Sequence, residues 1–373
     1  MTNQNTLQLY PSSWLYNAGV IGFLRSAEEI EQIEVNKMID SSGVIYLNLP
    51  FFSKLDTKRR YFSESKIASI VAKNEMYRNF LQSSEKEMFL DFVKNLDNVI
   101  SGQCDLCING KYLDKFNDNI KEIETPNYSR KQVSKFLNRI KNFSIVHNSH
   151  LGPSINKFPN AFWNLDYSIK ICHLCSFLVI HHHLAFTKLS DKSEIFIDAP
   201  SFQIMYYLNK FTQEIFGSSS MQDARNKREI LAMSVIEYAT KIQANLASWV
   251  GMNIEIISRH GDKIEFFSLP YEVTKLLADR RIAAILSQIG EYSILNLVLD
   301  QDFSSLMEMG YRLLRIGLIP YQDRGKNEKD FVNQILQLEK NRRNPTLVAQ
   351  QIFQLCVYIH EKHKTNAYGY HKH

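Results

Sequence analysis

The sequence has little proline and glycine, 9 and 14 residues among 373, and no apolar stretch of the roughly 20 residues that a membrane-spanning helix needs. Its most apolar run, 171–186, is short and contains four histidines. The first residues lack the basic region and apolar core of a secretory signal. With 45% hydrophobic and 12% aromatic residues, the composition also excludes a long disordered region. We therefore expect a compact, soluble, cytoplasmic protein.

The motifs of nucleotide-dependent and hydrolytic enzymes are missing as well. No G-x-x-x-x-G-K-[ST], G-x-G-x-x-G or G-x-S-x-G occurs, and these loops bind phosphates or present a nucleophilic serine. The successive His181, His182 and His183 cannot all face one ion from regular structure, so we expect them to be structural or on the surface. The sequence predicts that the protein is not an enzyme, and a zinc-containing nuclease or transposition-associated enzyme remains the alternative.

Cysteine is scarce, and its spacing is informative. Five cysteines are too few for a disulfide scaffold in a chain of this length. Four of them form two C-x-x-C pairs, Cys104 with Cys107 and Cys172 with Cys175. Two such pairs supply the four thiolates of a closed tetrahedral zinc site, which would be structural and worth on the order of 10 kcal/mol of folding free energy. Unliganded buried cysteines and a redox C-x-x-C stay open as alternatives.

Acidic residues are almost missing from the segment between the pairs. Over residues 125–190 one acid, Asp166, stands among eight Lys and Arg residues, although the whole chain has 44 basic and 39 acidic residues. The pattern over 128–143 predicts a helix on which Lys131, Lys135 and Arg139 share a face, with Lys141 nearby. Such a row suits a phosphate backbone, and an ordinary solvated helix face is the alternative.

A loop follows this predicted helix. Residues 147–164 contain Gly152, Pro153 and Pro159 among asparagines, which is typical of a loop. Amide and cationic side chains read base edges, so Asn156, Lys157 and Asn160 are candidate nucleic-acid contacts. An ordinary packed loop would have the same composition.

The hydrophobic periodicity mixes helices with a few strands. It predicts helices over 14–33 and 202–216, a hairpin between 254 and 267, and a helix from Asn344. Everything after Pro270 is helical in pattern. The fold class is therefore α+β and predominantly helical.

A chain of this length is expected to form two domains. We place a mixed domain with the four-cysteine zinc site at 1–270 and a C-terminal helical bundle at 271–373. A boundary at Gly217 is the alternative.

Four features in order resemble a known family. They are W-L-Y-N-A-G-V-I-G-F-L-R at 14–25, the first cysteine pair, H-L-G-P-S-I-N-K-F-P-N-A-F-W at 150–163, and the second cysteine pair. Together they look like the CXXC-CXXC family of CRISPR-associated proteins, whose members are large subunits of type I-B Cascade in antiviral defence.

The resemblance implies a subunit that recognises the protospacer-adjacent motif on duplex DNA and assists strand opening. The implied partners are guide RNA, target double-stranded DNA and its displaced strand, the Cascade backbone and small subunits, and a separate helicase-nuclease, with no membrane. A zinc-stapled protein interaction scaffold is the competing interpretation.

The resemblance also suggests roles for residues. The two cysteine pairs would hold structural Zn²⁺, and Asn156, Lys157 and Asn160 would read the motif. The helical tail is similar in kind to bundles that follow the displaced strand, for which the candidate contacts are Arg280, Arg281, Arg312 and Arg315.

Overall fold

The structure of the chain is a computed structural model. The described residues are 6–31, 33–48, 50–54, 85–94, 96, 104, 106, 128–144, 168–189, 191–217, 227–241, 254–260, 263–336 and 344–369. Four predicted site residues lie outside them: Cys107, Asn156, Lys157 and Asn160.

Helices make up most of the described structure. They are α1 Trp14–Glu31, α2 Lys86–Lys94, α3 Arg130–Lys141, α4 His173–Ile180, α5 His182–Ala185, α6 Phe202–Phe216, α7 Lys227–Lys241, α8 Tyr271–Leu277, α9 Arg280–Ile289, α10 Tyr292–Leu299, α11 Phe303–Gly317, α12 Lys326–Ile335 and α13 Pro345–Gly369. Short 3-10 turns lie at Val35–Lys37, Phe52–Lys54 and Tyr321–Asp323. The predicted helices at 14–33 and 202–216 and the one beginning at Asn344 are confirmed within two residues at their starts.

The strands are short and form three separate sheets. They are β1 Thr6–Leu9, β2 Ile45–Asn48, β3 Asn142–Ser144, β4 Ser168–Lys170, β5 Thr187–Lys188, β6 Glu194–Asp198, β7 Glu255–His260 and β8 Lys263–Ser268. β1 pairs with β2 and β3 with β4, both antiparallel. The third sheet has the order β5-β6-β7-β8, with β5 and β6 antiparallel. The α+β, predominantly helical class is confirmed.

The chain divides into two compact units. The first comprises 1–188, 192–209 and 257–265, and the second comprises 189–191, 210–256 and 266–373. Compactness does not test independent folding, so the predicted domain boundary at 270 and its alternative at Gly217 stay predictions. Within the described part of the chain, no helix combines the length and apolarity needed to cross a membrane.

The first unit is built around α1. This helix is buried over most of its first turns and packs against α4 and α5. Two glycines allow the contact: a Cβ on Gly19 would lie 2.6 Å from the Leu178 carbonyl oxygen, and one on Gly22 would lie 2.1 Å from the His181 carbonyl oxygen. Both distances are below van der Waals contact, so the helices can meet backbone to backbone only without side chains there.

Aromatic rings fill the space beside this contact. The ring of Phe177, on α4, lies 5.3 Å from that of Phe23 on α1 and 5.6 Å from that of Phe52. His181 joins them at 4.7 Å from Phe177, in an edge-to-face geometry. Such aromatic pairs add to the free energy gained by burying their apolar area.

The three successive histidines belong to this core. His181 and His182 are fully buried and His183 nearly so. The Nδ1 atoms of His181 and His182 lie 2.8 and 3.0 Å from the carbonyl oxygens of Phe177 and Val179. Burial lowers the pKa of His181 to about 4 and the pKa of His182 well below its usual value, because desolvation disfavours the charged ring.

The second unit is helical apart from strand ends. α9 buries Ile282, Ile285 and Ile289 and packs against α7, α8 and α13. α11 and α13 pack along each other, and Gly310 of α11 faces the side chains of Ile352 and Phe353. The helical pattern predicted after Pro270 is confirmed over the described residues.

Replacing Gly22 with alanine should destabilise the protein. Alanine in a helix interior normally gains about 1 kcal/mol over glycine. Here the new methyl group meets a backbone atom that cannot move away, so we expect a loss of about 1–3 kcal/mol. Urea unfolding followed by circular dichroism measures it. Gly310→Ala is the matched comparison, because its Cβ would meet movable side-chain atoms at 2.9 and 3.0 Å, and should cost less. An unchanged or raised stability of Gly22→Ala would contradict the packing.

The buried histidines should make stability fall in mild acid. Between pH 6.5 and about 4 the unfolded chain binds a proton at His181 that the folded chain excludes, so the free energy of unfolding decreases as the pH falls. For His181 the total is on the order of 3 kcal/mol. His181→Gln should flatten this dependence in urea titrations from pH 7.5 to 4.5. Parallel pH profiles for the variant and the wild type would argue against a neutral buried ring.

Candidate metal centre

The second cysteine pair opens α4. Cys172 is the N-cap residue, with extended backbone, and its Sγ accepts a hydrogen bond from the Cys175 backbone N–H at 3.3 Å. The Ser176 backbone N–H donates to the Cys172 carbonyl at 2.9 Å. The two-residue spacing therefore places both sulfurs at one helix N-terminus, where the helix dipole favours the negative charge of a thiolate.

The first pair contributes a third sulfur. Cys104 Sγ lies 3.6 Å from Cys175 Sγ, and the ligand atoms of Cys104, Cys172 and Cys175 all lie within 4.8 Å of one another. Cys172 and Cys175 are buried, and Cys104 is half-buried. A disulfide would need about 2.05 Å between sulfurs. Zinc–sulfur bonds of ~2.3 Å at tetrahedral angles separate sulfurs by about 3.8 Å, which the observed spacing matches.

These three thiols fit a metal ion such as zinc. Among the described residues they form the one such cluster of His, Cys, Asp or Glu side chains. Of the four cysteines predicted as ligands, Cys104, Cys172 and Cys175 come together, and Cys107 lies outside the described residues; zinc binding by the four stays a prediction. A bound zinc ion would serve as a structural cross-link between the two pairs, with its coordination filled by thiolates.

The basic helix packs beside the second pair. α3 contacts α4, and it buries Val133 and Phe136, whose ring lies 6.1 Å from that of Phe92. Lys131 and Lys135 are exposed on the same helix and form no ion pair with any described residue. The predicted cationic face is thus solvent-accessible at these two positions. Arg139 and Lys141 lie in α3, but their side chains are outside the described part.

A two-stranded ladder holds the ends of the predicted recognition loop. β3 follows α3 directly, and Ser144 pairs with Ser168 at the start of β4. Paired residues of antiparallel strands have Cα atoms about 4.5–5.5 Å apart. The residues between them include Asn156, Lys157 and Asn160, and β4 ends two residues before Cys172. The two described residues that flank this segment, Ser144 and Ser168, are therefore paired, and Ser168 lies four residues before Cys172 in sequence.

The four arginines of the helical tail have different surroundings. Arg281 donates to Glu361 at 2.9 Å and lies 4.7 Å from the Tyr358 ring, and Arg312 stacks over Phe331 at 3.7 Å. Arg280 and Arg315 are exposed and make no ion pair with the described residues. Two of the predicted contacts thus already have intramolecular partners, whereas two are available to a ligand.

Asn17, in the opening motif at 14–25, has a long-range partner that the sequence did not predict. Its side chain hydrogen-bonds to both Ser12 and Asp198. Buried asparagine in a motif signals a hydrogen-bond network, but its partner is 181 residues away in sequence.

A family model matches part of the chain. Residues 129–187 match the model described as CRISPR-associated protein (Cas_CXXC_CXXC). The matched segment contains α3, the β3–β4 ladder and the second cysteine pair. No curated protein and no solved structure matches the chain. The match supports a CRISPR-associated protein of this family.

We expect the purified protein to contain one equivalent of zinc. Because a tetrahedral site needs every thiolate, Cys175→Ser should lower the zinc content below about one fifth of the wild-type value and should strongly destabilise the first unit. Elemental analysis after gel filtration measures the content. Cys356→Ala, a change at a cysteine of α13 outside the cluster, is the control and should keep its zinc. A wild-type protein without stoichiometric metal would refute the site.

Proposed function

We propose that the protein is the non-catalytic large subunit of an RNA-guided CRISPR interference complex of type I-B. In this role it recognises the protospacer-adjacent motif on duplex DNA, assists strand opening and presents the DNA to a separate helicase-nuclease. The observation that carries the proposal is the coincidence, within the matched residues 129–187, of the second cysteine pair with an exposed cationic helix.

The cationic helix supports contact with a nucleic-acid backbone. Lys131 and Lys135 stand one turn apart on the exposed side of α3, while Val133 and Phe136 fix its other side in the first unit. Exposed ammonium groups at helical spacing can neutralise successive phosphates and release their counterions. In the proposed role this helix holds the guide or the duplex without reading its sequence.

The segment between β3 and β4 supports recognition of a short motif. The strands at its two ends pair in one ladder, and Ile171 joins that ladder to Cys172 of the cysteine cluster. A short motif must be read by few side chains, and Asn156, Lys157 and Asn160 carry the amide and amino groups that bond to base edges. Base pairing with the guide then reads the rest of the target.

The helical tail supports contact with the displaced strand. Arg280 and Arg315 are exposed, on helices that both pack against α13. In the proposed role they bind the strand, whereas Arg281 and Arg312 stabilise the bundle through Glu361 and Phe331. Guide RNA and the Cascade backbone and small subunits complete the proposed set of partners in the cytoplasm.

Charge reversal on α3 tests the backbone contact. Lys131→Glu with Lys135→Glu should weaken binding of the isolated protein to duplex DNA. It should also make the dependence of log affinity on log salt shallower, by about 0.9 for each phosphate that the protein no longer neutralises. Fluorescence anisotropy at several salt concentrations measures both quantities.

The control for this change is Lys263→Glu with Lys326→Glu. Both lysines are exposed, and the net charge changes by the same amount. The control should keep most of the affinity. Equally weakened binding in the two double variants would favour a general charge effect, and unchanged binding in both would favour a zinc-stapled interaction scaffold.

Changes in the loop test the recognition role. Asn156→Ala with Lys157→Ala should reduce discrimination between duplexes with different flanking motifs more than it reduces average affinity, because base contacts specify and phosphate contacts position. Competition binding against a library of flanks measures the discrimination. The double charge reversal on α3 is the comparison and should weaken all flanks alike. A uniform decrease in the loop variant would instead indicate that these residues contact the phosphate backbone.

Cleavage of DNA by the isolated protein with divalent metal would replace the proposal by the nuclease alternative.

A further inference from the structure

Ser12, just before the tryptophan-led segment, contacts a residue that lies between the first two cysteines in sequence. The Ser12 hydroxyl donates a hydrogen bond to the carbonyl oxygen of Leu106, 94 residues further along the chain. Leu106 stands between Cys104 and Cys107, and its side chain is buried. Ser12 therefore holds the backbone two residues after Cys104.

Asn17 fixes the position of Ser12. Its side-chain oxygen accepts from the Ser12 backbone N–H at 2.8 Å, and its Nδ2 donates to the Ser12 carbonyl at 2.9 Å. The same Nδ2 lies 2.9 Å from Asp198 Oδ1, at the end of β6. Asn17 is 2% exposed. Its buried amide therefore fixes the backbone N–H and carbonyl of the exposed Ser12.

The same helix also holds the second pair. α4 begins directly after Cys172, and Gly19 and Gly22 let α1 approach the carbonyl oxygens of Leu178 and His181 at its far end. Helix α1 thus contacts both cysteine pairs indirectly. Its Asn17 holds Ser12, which bonds to Leu106, and its glycines pack against α4, which carries Cys175.

We propose that Ser12, fixed by Asn17, is a positioning residue of the metal centre that holds the backbone next to Cys104 in place for metal binding. This inference rests on the metal site of the proposed function and is independent of DNA recognition. Groups that orient metal ligands from outside the coordination sphere typically change metal affinity by about 10–100-fold when removed. Because Ser12 is exposed, its removal should act on the cysteine turn without unfolding the protein.

The test is the rate at which the full-length protein releases zinc to a chromogenic chelator at neutral pH. Ser12→Ala should release zinc about tenfold faster than the wild type. Ser12→Thr, which keeps the hydroxyl, should stay close to wild type. Ser13→Ala is the matched control, because Ser13 is an exposed neighbour whose hydroxyl bonds to no described residue. The visible spectrum of the cobalt-substituted protein reports the thiolate geometry separately and should change in Ser12→Ala alone.

Each outcome decides the inference. Faster release in Ser12→Ala, with an unchanged circular dichroism spectrum and melting temperature, supports it. Equal release rates in Ser12→Ala and Ser13→Ala overturn it while leaving the metal site intact. A wild-type protein that carries no zinc refutes the metal site itself, and the inference with it.

Discussion

The approach of Cys104 Sγ to Cys175 Sγ, 3.6 Å across 71 residues of chain, is the constraint on which the first unit depends. It brings together two cysteines that are separated by a long segment of chain. The entropy cost of closing such a loop grows slowly, by about 0.6 kcal/mol for each doubling of its length. A metal ion at the three sulfurs would supply far more than this cost. The cationic helix α3 lies within this segment, and so do the proposed recognition residues Asn156, Lys157 and Asn160 in sequence.

Helices α1 and α3 and the β3–β4 ladder surround the cysteine cluster in sequence or by packing against α4. α1 supports α4 by backbone contact at Gly19 and Gly22, and α3 also packs against α4. The β3–β4 ladder brings that segment back to Cys172. His181 and His182, which follow α4, stay neutral at physiological pH because desolvation lowers their pKa. The stability of this core should therefore decrease in acid.

Local patterns made several elements predictable. Helices α1, α6 and α13 were found as expected. Their signals are local in sequence: apolar periodicity over 14–33, Gly217 directly after α6, and Pro345 at the start of α13. The cysteine spacing predicted a cluster, which the described thiols confirm in part. Long-range partners were not predictable from sequence. The residues around Asn17 do not identify Asp198 as its partner, and the glycines of α1 do not identify the carbonyl groups that they approach. Strands as short as β5, with two residues, give too little alternation to read.

X-ray absorption at the zinc edge of the purified full-length protein tests the central claim most directly, because it reads the atoms bound to the ion. Convergence of the two cysteine pairs predicts a first shell made of sulfur alone, four atoms at about 2.3 Å. A shell containing nitrogen or oxygen would contradict the claim that Cys104, Cys107, Cys172 and Cys175 together close the site, and so would a shell with only two sulfurs.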